Sequence, residues 1–207
     1  MRIFLVRHAE SKANVINAYG GKEVELTDNG IRQAEVIAKR FKGMDIEVVF
    51  CSRYKRAMQT ARIMNGVIGK QIVYKELIGE WRLPSKTFGV KLSSKKRSEM
   101  WDTIYKNADD AKWHYSDAEN VFEVMGRVKK FLAYLRSRRE ESILVVTHGA
   151  FIGVLLAVCL SGDDITAGEL RKTARFFRAM NTGITELMMD ETGTIKMVTF
   201  NDYAHLQ

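Results

Sequence analysis

The sequence has little of what marks a disordered, secreted or membrane-embedded chain. It holds one proline in 207 residues and no low-complexity tract, which argues against a disordered tail or a long linker. The longest apolar run, Ala150–Leu160, is too short to span a bilayer and indicates a buried helix. The apolar stretch Ile3–Val6 is far too short for a signal peptide. We therefore expect a single globular domain over residues 1–207, with no membrane partner.

Cysteine is equally scarce. Cys51 and Cys159 each lie in or beside an apolar run, and neither belongs to a CxxC pair. This pattern favours buried thiols in a reducing compartment over a disulfide. Together with the absence of a visible targeting segment, it predicts a cytoplasmic protein.

The charge is unbalanced, with a formal net value of +8. A basic surface suits nucleic acid, an anionic membrane or a small anionic substrate, and net charge alone does not choose among them. A nucleic-acid-binding module would be the main rival class. No recognition motif or aromatic stacking pattern accompanies the charge, so we predict no nucleic-acid partner.

Short β-rich runs alternate with helical patterns along the chain. The predicted strands are Ile3–Val6, Ile46–Cys51, Gln71–Tyr74 and Ser142–Thr147, followed by a C-terminal hairpin formed by Gly183–Met189 and Thr194–Phe200. The predicted helices include one capped by Thr27, one through Ala57, Ala61 and Met64, and Ala150–Leu160. This alternation predicts an α/β fold with a mainly parallel sheet that is covered on both faces.

Two regions carry more specific structural expectations. The pattern predicts a long helix over Glu119–Arg138, with one apolar face formed by Phe122, Met125, Val128, Leu132 and Leu135. Residues 81–117 fit the strand–helix alternation poorly. We expect them to form a small, partly helical insert that lies like a cap over one edge of the sheet.

Polar residues stand where the predicted strands end. The first strand ends in Arg7-His8 and the fourth in Thr147-His148-Gly149, whereas Arg56 follows the second and Glu80 follows the third. Because ligands bind beyond the carboxyl ends of the strands in open α/β sheets, we expect these side chains to converge. The parallel placement of the two histidines, each after a strand and before a helix, is the strongest signal.

These residue types suit phosphoryl transfer. Arginine presents a planar fork to phosphate oxygens, and helix N-termini add backbone N–H donors. One neutral imidazole can attack phosphorus, while a second, protonated imidazole stabilises the equatorial oxygens. A carboxylic acid can protonate the leaving oxygen and then activate water. The set needs no metal or other cofactor.

Two alternatives concern the same residues. A metal site is disfavoured because no HxH or HExxH pattern is present and Arg7 would stand beside the ion. A purely structural site stays open, since Glu10 could neutralise a buried Arg7.

The motifs resemble those of the histidine phosphatase superfamily, which includes cofactor-dependent phosphoglycerate mutases and many small phosphatases. Four segments carry the resemblance in order along the chain: Arg7-His8-Ala9-Glu10-Ser11 followed by Asn14, then Leu26–Gly30, Arg56–Ala61 and Thr147-His148-Gly149. The family usually has glycine where Ala9 stands, and often Ser-Pro where this chain has Ser52-Arg53. The resemblance implies a three-layer α/β/α sandwich of the phosphoglycerate-mutase type.

The resemblance also implies roles for individual residues. His8 would be the phosphorylated nucleophile and Glu80 the acid and base, with Arg7, Arg56 and His148 as the phosphate pocket. The implied phosphate- and substrate-binding set further includes Asn14, Gly149, Tyr19, Gly20 and Arg82. The implied reaction is hydrolysis of a small phosphorylated metabolite through a phosphohistidine, and a homodimer stays open.

Hydrolysis must be distinguished from mutase chemistry. The mutases that this chain resembles have a longer insert with adjacent arginines, and they have Glu-Arg where this chain has Glu80-Trp81-Arg82. The insert here has no Arg-Arg pair, so we favour a phosphatase, with a mutase or a non-catalytic phospho-ligand-binding relative as alternatives. Between Glu80 and Glu99 all the charged residues of the insert are basic, which suits a substrate with more than one anionic group. They are Arg82, Lys86, Lys91, Lys95, Lys96 and Arg97.

Overall fold

A six-stranded sheet forms the centre of the molecule. The computed structural model describes residues 1–162 and 165–207. The strands are β1 (Arg2–Arg7), β2 (Val48–Ser52), β3 (Ile72–Lys75), β4 (Ser142–Thr147), β5 (Ile184–Met189) and β6 (Ile195–Asp202). Their order is β3-β2-β4-β1-β5-β6. Strands β1 to β4 run parallel to one another, β5 runs antiparallel to β1, and β6 runs antiparallel to β5. The predicted mainly parallel sheet with a C-terminal hairpin is confirmed.

Helices cover both faces of the sheet. They are α1 (Lys12–Val15), α2 (Asp28–Arg40), α3 (Lys55–Ile68), α4 (Lys95–Lys106), α5 (Val121–Arg136), α6 (Gly149–Ser161) and α7 (Ala167–Phe176). Alternate residues of β1 divide between two apolar clusters: Ile3 and Leu5 pack with α5 and α6, whereas Phe4 and Val6 pack with α2 and α3. This alternation follows from the two-residue period of a strand and produces the three-layer sandwich.

The buried face of α5 differs from the predicted one at its start. Phe122 is 43 % exposed, so its assignment to the apolar face was wrong, whereas Val121 and Val124 are buried. Asn120 caps the helix by accepting a hydrogen bond from the Glu123 N–H, which starts the helix later than predicted. Counted from that cap, Val121 and Val124 share the stripe of Val128, and Phe122 lies one helical step of about 100° away.

Helix α7 was not predicted from the sequence. Its N-terminus is a capping box, in which Thr166 accepts from the Glu169 N–H and the Glu169 carboxylate accepts from the Thr166 N–H. That Thr-x-x-Glu pattern is a readable helix start. Only Leu170 of this helix is fully buried, so its apolar stripe is too narrow to show clear periodicity.

The remaining local expectations concern the apolar helix and the thiols. Helix α6 is buried from Phe151 through Val158, as expected of a core element. Within the described ranges, no helix combines the length and apolarity that crossing a membrane requires. Both cysteines are free, and burial raises the pKa of the Cys51 thiol to about 12, so this thiol stays protonated at neutral pH.

The expected insert contains one long helix, α4, and is closed at its base. Trp81 Nε1 donates to Glu119 O over 2.9 Å, and the Glu119 N–H donates to Arg82 O over 2.9 Å. Farther out, isolated β-bridges join the segment to Ala18 and Tyr19. The insert is therefore tied to the loop that follows α1.

Gly30 permits the close approach of α2 to the loop after β1. A Cβ added at Gly30 would lie 2.0 Å from the backbone oxygen of Glu10, whereas one added at Gly126 in α5 would meet nothing within 4 Å. We expect Gly30→Ala to destabilise the protein by about 2 kcal/mol or more, because backbone must move. Gly126→Ala should stabilise it by up to about 1 kcal/mol through helix propensity. Urea unfolding compares the pair; equal effects of the two substitutions would contradict this explanation.

Candidate active site

The two histidines converge because β1 and β4 are adjacent and parallel. Arg7 and Thr147 are register partners at the ends of these strands, and the His8 N–H donates to Thr147 O over 2.9 Å. The imidazole rings of His8 and His148 consequently lie 5.2 Å apart, centroid to centroid. The predicted meeting of these two residues at one sheet edge is what the structure shows.

The contacts of His8 define its tautomer. Nδ1 lies 2.7 Å from the carbonyl oxygen of Ala9, which can only accept, so Nδ1 carries the hydrogen. Nε2 lies 3.0 Å from Arg56 Nε, which can only donate, so Nε2 presents its lone pair. The ring is 3 % exposed. Nε2 is therefore the ring nitrogen that carries the lone pair, and it faces a guanidinium.

Arg56 is held from three sides. Its Nη1 donates to Gly21 O over 2.9 Å, and its guanidinium lies 4.8 Å from the Tyr54 ring centroid. The backbone of α3 is anchored beside it, since Thr60 Oγ1 donates to Arg56 O and accepts from the Ala9 N–H. This arrangement locks the start of α3 to the loop that carries His8.

Two buried nitrogens at the site have no hydrogen-bond partner. Among the described residues, the buried side-chain nitrogens and oxygens without a partner are Arg7 Nε, His148 Nδ1 and His205 Nδ1. The first two belong to residues at adjacent strand ends, and Arg7 Nη1 instead donates to Ala179 O. A Cβ at Gly149 would lie 3.4 Å from Arg7 Nε, so the glycine leaves space beside this donor. Buried polar nitrogens without partners are costly and point to a ligand that would contact them.

The electrostatics keep both imidazoles neutral. Burial, followed by the charges of Arg56 and Arg7, lowers the pKa of His8 well below its ordinary value. Burial and Arg56 likewise lower the pKa of His148, with smaller contributions from His8 and Arg7. A neutral His8 is ready to act as a nucleophile. A bound phosphate dianion would oppose both effects at His148 and favour its protonation.

Glu80 lies at the N-terminus of α6, directly beyond His148. Its carboxylate accepts from the N–H groups of Trp81 at 3.0 Å, Phe151 at 3.2 Å and Ala150 at 3.5 Å. Its charge raises the pKa of both Arg7 and Arg56, against the lowering caused by their burial. The structure thus brings Glu80 to the same edge as the two arginines, as predicted.

Glu10, the alternative partner for Arg7, faces elsewhere. Its Oε1 accepts from Thr27 Oγ1 over 2.6 Å, and its backbone N–H donates to Gln33 Oε1. It therefore braces the start of α2, and the structural ion pair with Arg7 that we left open is wrong. Ser52, at the end of β2, instead contacts the site through its hydroxyl, which lies 2.7 Å from His148 Nε2.

Asn14 and Asn181 form a polar side to the site. Asn14 Oδ1 accepts from the Ser11 N–H, the Ser11 hydroxyl and, over 3.3 Å, Asn181 Nδ2. Asn181 Nδ2 also donates to His8 O over 2.8 Å. Sequence reasoning named Asn14 and missed Asn181, which no local motif marks. Its loop reaches the site because the Thr182 N–H pairs with Arg7 O.

The contacts of the other expected substrate-binding residues are with residues other than the two histidines. Tyr19 lies in the loop after α1, and its hydroxyl accepts from Arg97 Nε and Trp101 Nε1, so it joins this loop to α4. Gly20 packs closely on Ala13, where a Cβ would approach to 2.8 Å. Arg82 is exposed, and its backbone pairs with Glu119 rather than with the histidines.

The site has no ligand set for a metal. Across residues 1–162 and 165–207, no group of three or more histidine, cysteine, aspartate or glutamate residues is arranged to hold an ion. The positive charges at the site are the fixed guanidinium groups of Arg7 and Arg56, which are buried beside the imidazoles. Stabilisation of anionic oxygens can therefore come from arginine.

Comparison with known proteins agrees with this geometry. The family model of the histidine phosphatase superfamily (branch 1) matches residues 3–202. The chain belongs to this superfamily. The resemblance inferred from the motifs is thus confirmed, as are the phosphoglycerate-mutase-like fold and the expectation of a histidine phosphatase.

Individual relatives carry phosphatase and mutase names. The adenosylcobalamin/alpha-ribazole phosphatase of Salmonella typhimurium is 28 % identical over 168 residues, covering 78 % of this chain and 80 % of that protein. A protein of Proteus mirabilis named a probable phosphoglycerate mutase is 28 % identical over 184 residues, covering 83 % and 80 %. The solved phosphoserine phosphatase of Entamoeba histolytica in complex with phosphoserine superposes with a TM-score of 0.81 at 24 % identity, covering 100 % and 99 %, which shows the shared fold.

The buried neutral histidines make stability depend on pH. Each is protonated more readily in the unfolded chain, so below about pH 6.5 the unfolded state binds more protons and stability falls with falling pH. Each contributes up to about 1.4 kcal/mol per pH unit. Urea unfolding between about pH 7.5 and 5.5 should show a shallower dependence in His148→Gln than in wild type. The exposed His114 supplies the control, His114→Gln. An unchanged slope in His148→Gln would contradict the assignment.

Proposed function

We propose that this chain hydrolyses small phosphomonoesters by transferring the phosphoryl group first to His8 Nε2 and then to water. One observation carries the proposal most directly. His8 Nε2 accepts from Arg56 Nε, the His148 ring lies 5.2 Å away between centroids, and the buried Arg7 Nε and His148 Nδ1 lack partners of their own. A phosphate dianion would accept from Arg7 Nε and, once it has favoured protonation of His148, from His148 Nδ1, while its phosphorus faces the His8 imidazole.

The first step forms the Nε2–phosphorus bond and breaks the ester bond. Arg7, Arg56 and His148 would stabilise the equatorial oxygens. The bound phosphate dianion would favour protonation of Glu80, which would then give this proton to the leaving alkoxide. In the second step, Glu80 takes a proton from water, whose oxygen attacks phosphorus as the phosphorus–nitrogen bond breaks. The cycle ends with His8 neutral, Glu80 protonated and inorganic phosphate released.

Hydrolysis is favoured over mutase chemistry by the surroundings of the site. The two adjacent arginines, Arg138 and Arg139, lie beyond the end of α5, where Arg138 forms an ion pair with Glu140. Both therefore lie near the start of β4, at the opposite end of that strand from His148. A mutase needs a grip on the rest of a bound sugar acid that would hold it through both transfers, and no arginine pair is available at the insert for this role.

We further propose that the substrate has a second anionic group, and that Arg178 contacts it. Arg178 precedes Ala179, whose carbonyl accepts from Arg7, and its charge contributes to the lowered pKa of Arg7 after burial and Arg56. Arg178 is exposed, so its guanidinium is reachable by a substrate. Arg97 and Lys86 of the basic insert instead contact Tyr19 and Tyr115, respectively.

The cellular setting remains a prediction. The two free thiols support the proposed cytoplasmic location, because a reducing compartment keeps such thiols unpaired. The homodimer that we left open likewise remains a prediction, which light scattering of the purified chain would test.

The proposed chemistry predicts that His8→Ala abolishes turnover. Phosphate release from a panel of phosphomonoesters should persist in excess EDTA and fall by more than about 1,000-fold in His8→Ala. His114→Ala supplies the control, because His114 contacts Glu123 and Asn120 away from the site. Release that EDTA abolishes would contradict the metal-independent mechanism. Conversion of one phosphoglycerate isomer to the other without net release would identify a mutase.

If Arg178 binds the second anionic group, Arg178→Gln should weaken binding only of substrates that have such a group. We expect KM to rise about 10-fold for phosphoserine, which has a carboxylate, and to change little for phosphoethanolamine, which lacks one. Arg139→Gln makes the same charge change at an exposed position beyond α5 and should leave both values unaltered. Equal increases for the two esters in Arg178→Gln would contradict a contact with the second anion.

A further inference from the structure

Sequence reasoning overlooked a buried ion pair beneath the loop that carries Glu80. Arg127 of α5 and Glu119, just before that helix, have side-chain exposures of 17 % and 1 %. Arg127 Nε lies 2.5 Å from Glu119 Oε1, and its Nη2 lies 2.7 Å from Oε2. This two-pronged geometry is the strong and directional form of an arginine–carboxylate pair.

The other donors of Arg127 go to the loop that carries Glu80. Nη1 donates to the carbonyl oxygens of Leu77 at 2.7 Å and Gly79 at 3.1 Å, and Nη2 donates to that of Glu80 at 3.3 Å. Together with the two bonds to Glu119, these contacts use all five N–H groups of the guanidinium. Arg127 is therefore fully committed to Glu119 and to this loop.

The loop depends on these donors for its shape. Four consecutive carbonyl groups, those of residues 77–80, point inward. Arg127 donates to three of them, and Thr147 Oγ1 donates to the fourth, Ile78 O, over 2.7 Å. Without the guanidinium, three of these carbonyls would face a mostly buried site with no donor. Buried carbonyls that lose their partners make the chain rearrange to find others.

The Glu80 carboxylate has little else to define its position. Its contacts with the α6 amides, at 3.2 Å and 3.5 Å, lie at or beyond the long end of the hydrogen-bond range. The third contact, with the Trp81 N–H, is made within the same short segment and moves with it. The backbone of residues 77–80 therefore sets where the carboxylate stands relative to His8 and His148.

We infer that Arg127 and Glu119 are positioning residues that hold Glu80 where it can exchange protons with the leaving group and with water. The inference rests on the proposed function, because it concerns the acid and base of that reaction. Glu119 also accepts from the Arg82 N–H, so the same pair closes the base of the insert and aligns it with the loop.

The experiment exploits the fact that leaving groups differ in their need for a proton. p-Nitrophenolate is a stable anion and leaves without protonation, whereas the alkoxide of an alkyl phosphate needs the acid. The ratio kcat/KM reports the step up to release of the alcohol, so the two esters separate acid catalysis from phosphate binding and nucleophilic attack. The variants are Arg127→Lys, which keeps the charge but has only three donors, and Glu119→Gln, with Glu80→Gln as the benchmark.

We expect kcat/KM of both variants to fall about 10- to 100-fold for β-glycerophosphate and to stay within about threefold of wild type for p-nitrophenyl phosphate. With the aryl ester, slow attack of water on the phosphoenzyme should also produce a burst of p-nitrophenol. Glu80→Gln should show the same pattern more strongly. A general loss of folding is controlled by Ile37→Ala, which opens a cavity on the opposite face of the sheet and should lower both rates equally, if at all.

Several outcomes would overturn the inference. Equal losses for the two esters in Arg127→Lys and Glu119→Gln would show a merely structural pair. Wild-type rates with both esters would show that the loop stays in place without the pair. If only Glu80→Gln lost kcat/KM selectively for β-glycerophosphate, the proposed function would stand and the positioning role of Arg127 and Glu119 would be wrong. Release from neither ester by the wild type would contradict the proposed function, and the positioning role with it.

Discussion

The burial of two guanidinium groups and two imidazoles at one edge of the sheet is the constraint on which the site depends. Burial and the neighbouring charges lower the pKa of His8 and His148, and Glu80 is the carboxylate that opposes the charge of Arg7 and Arg56. Such a cluster stays folded because the sheet behind it buries apolar residues on both faces. A dianion at this edge would supply hydrogen-bond acceptors and negative charge. The repulsion among the buried positive groups would then be relieved, which favours binding of phosphate.

The strands and helices around the site each position one part of this cluster. The parallel pairing of β1 and β4 sets the spacing of the histidines, and the N-terminus of α6 provides amides for Glu80. Helix α3 carries Arg56 and is locked to the His8 loop through Thr60. The buried pair of Arg127 and Glu119 is costly to desolvate, but three of the five Arg127 donors satisfy carbonyls that the loop carrying Glu80 turns inward.

The parts of the site that were predictable follow strands whose apolar pattern is unambiguous. His8 and His148 were found because each directly ends such a strand, and parallel strands end at the same edge. Arg127 and Asn181 were missed because the carbonyl groups that they contact, those of Leu77 and His8, lie far away in sequence. No local pattern marks these two residues or Glu119. Phe122 was misassigned because both Val121 and Phe122 fit the helical period. The Asn120 cap fixes where the helix begins and so decides that Val121 is the buried one. The capping box of α7 was readable, but its narrow apolar stripe hid the helix.

The most direct test of the central claim is to locate the phosphoryl group during turnover. The protein would be mixed with a phosphomonoester, quenched in base, where phosphohistidine is stable, digested, and mapped by tandem mass spectrometry. We predict a phosphoryl group on the peptide containing His8, removed by acid and absent from His8→Ala. Phosphate release by the wild type without any trapped phosphohistidine, or with the phosphoryl group on another residue, would contradict the mechanism.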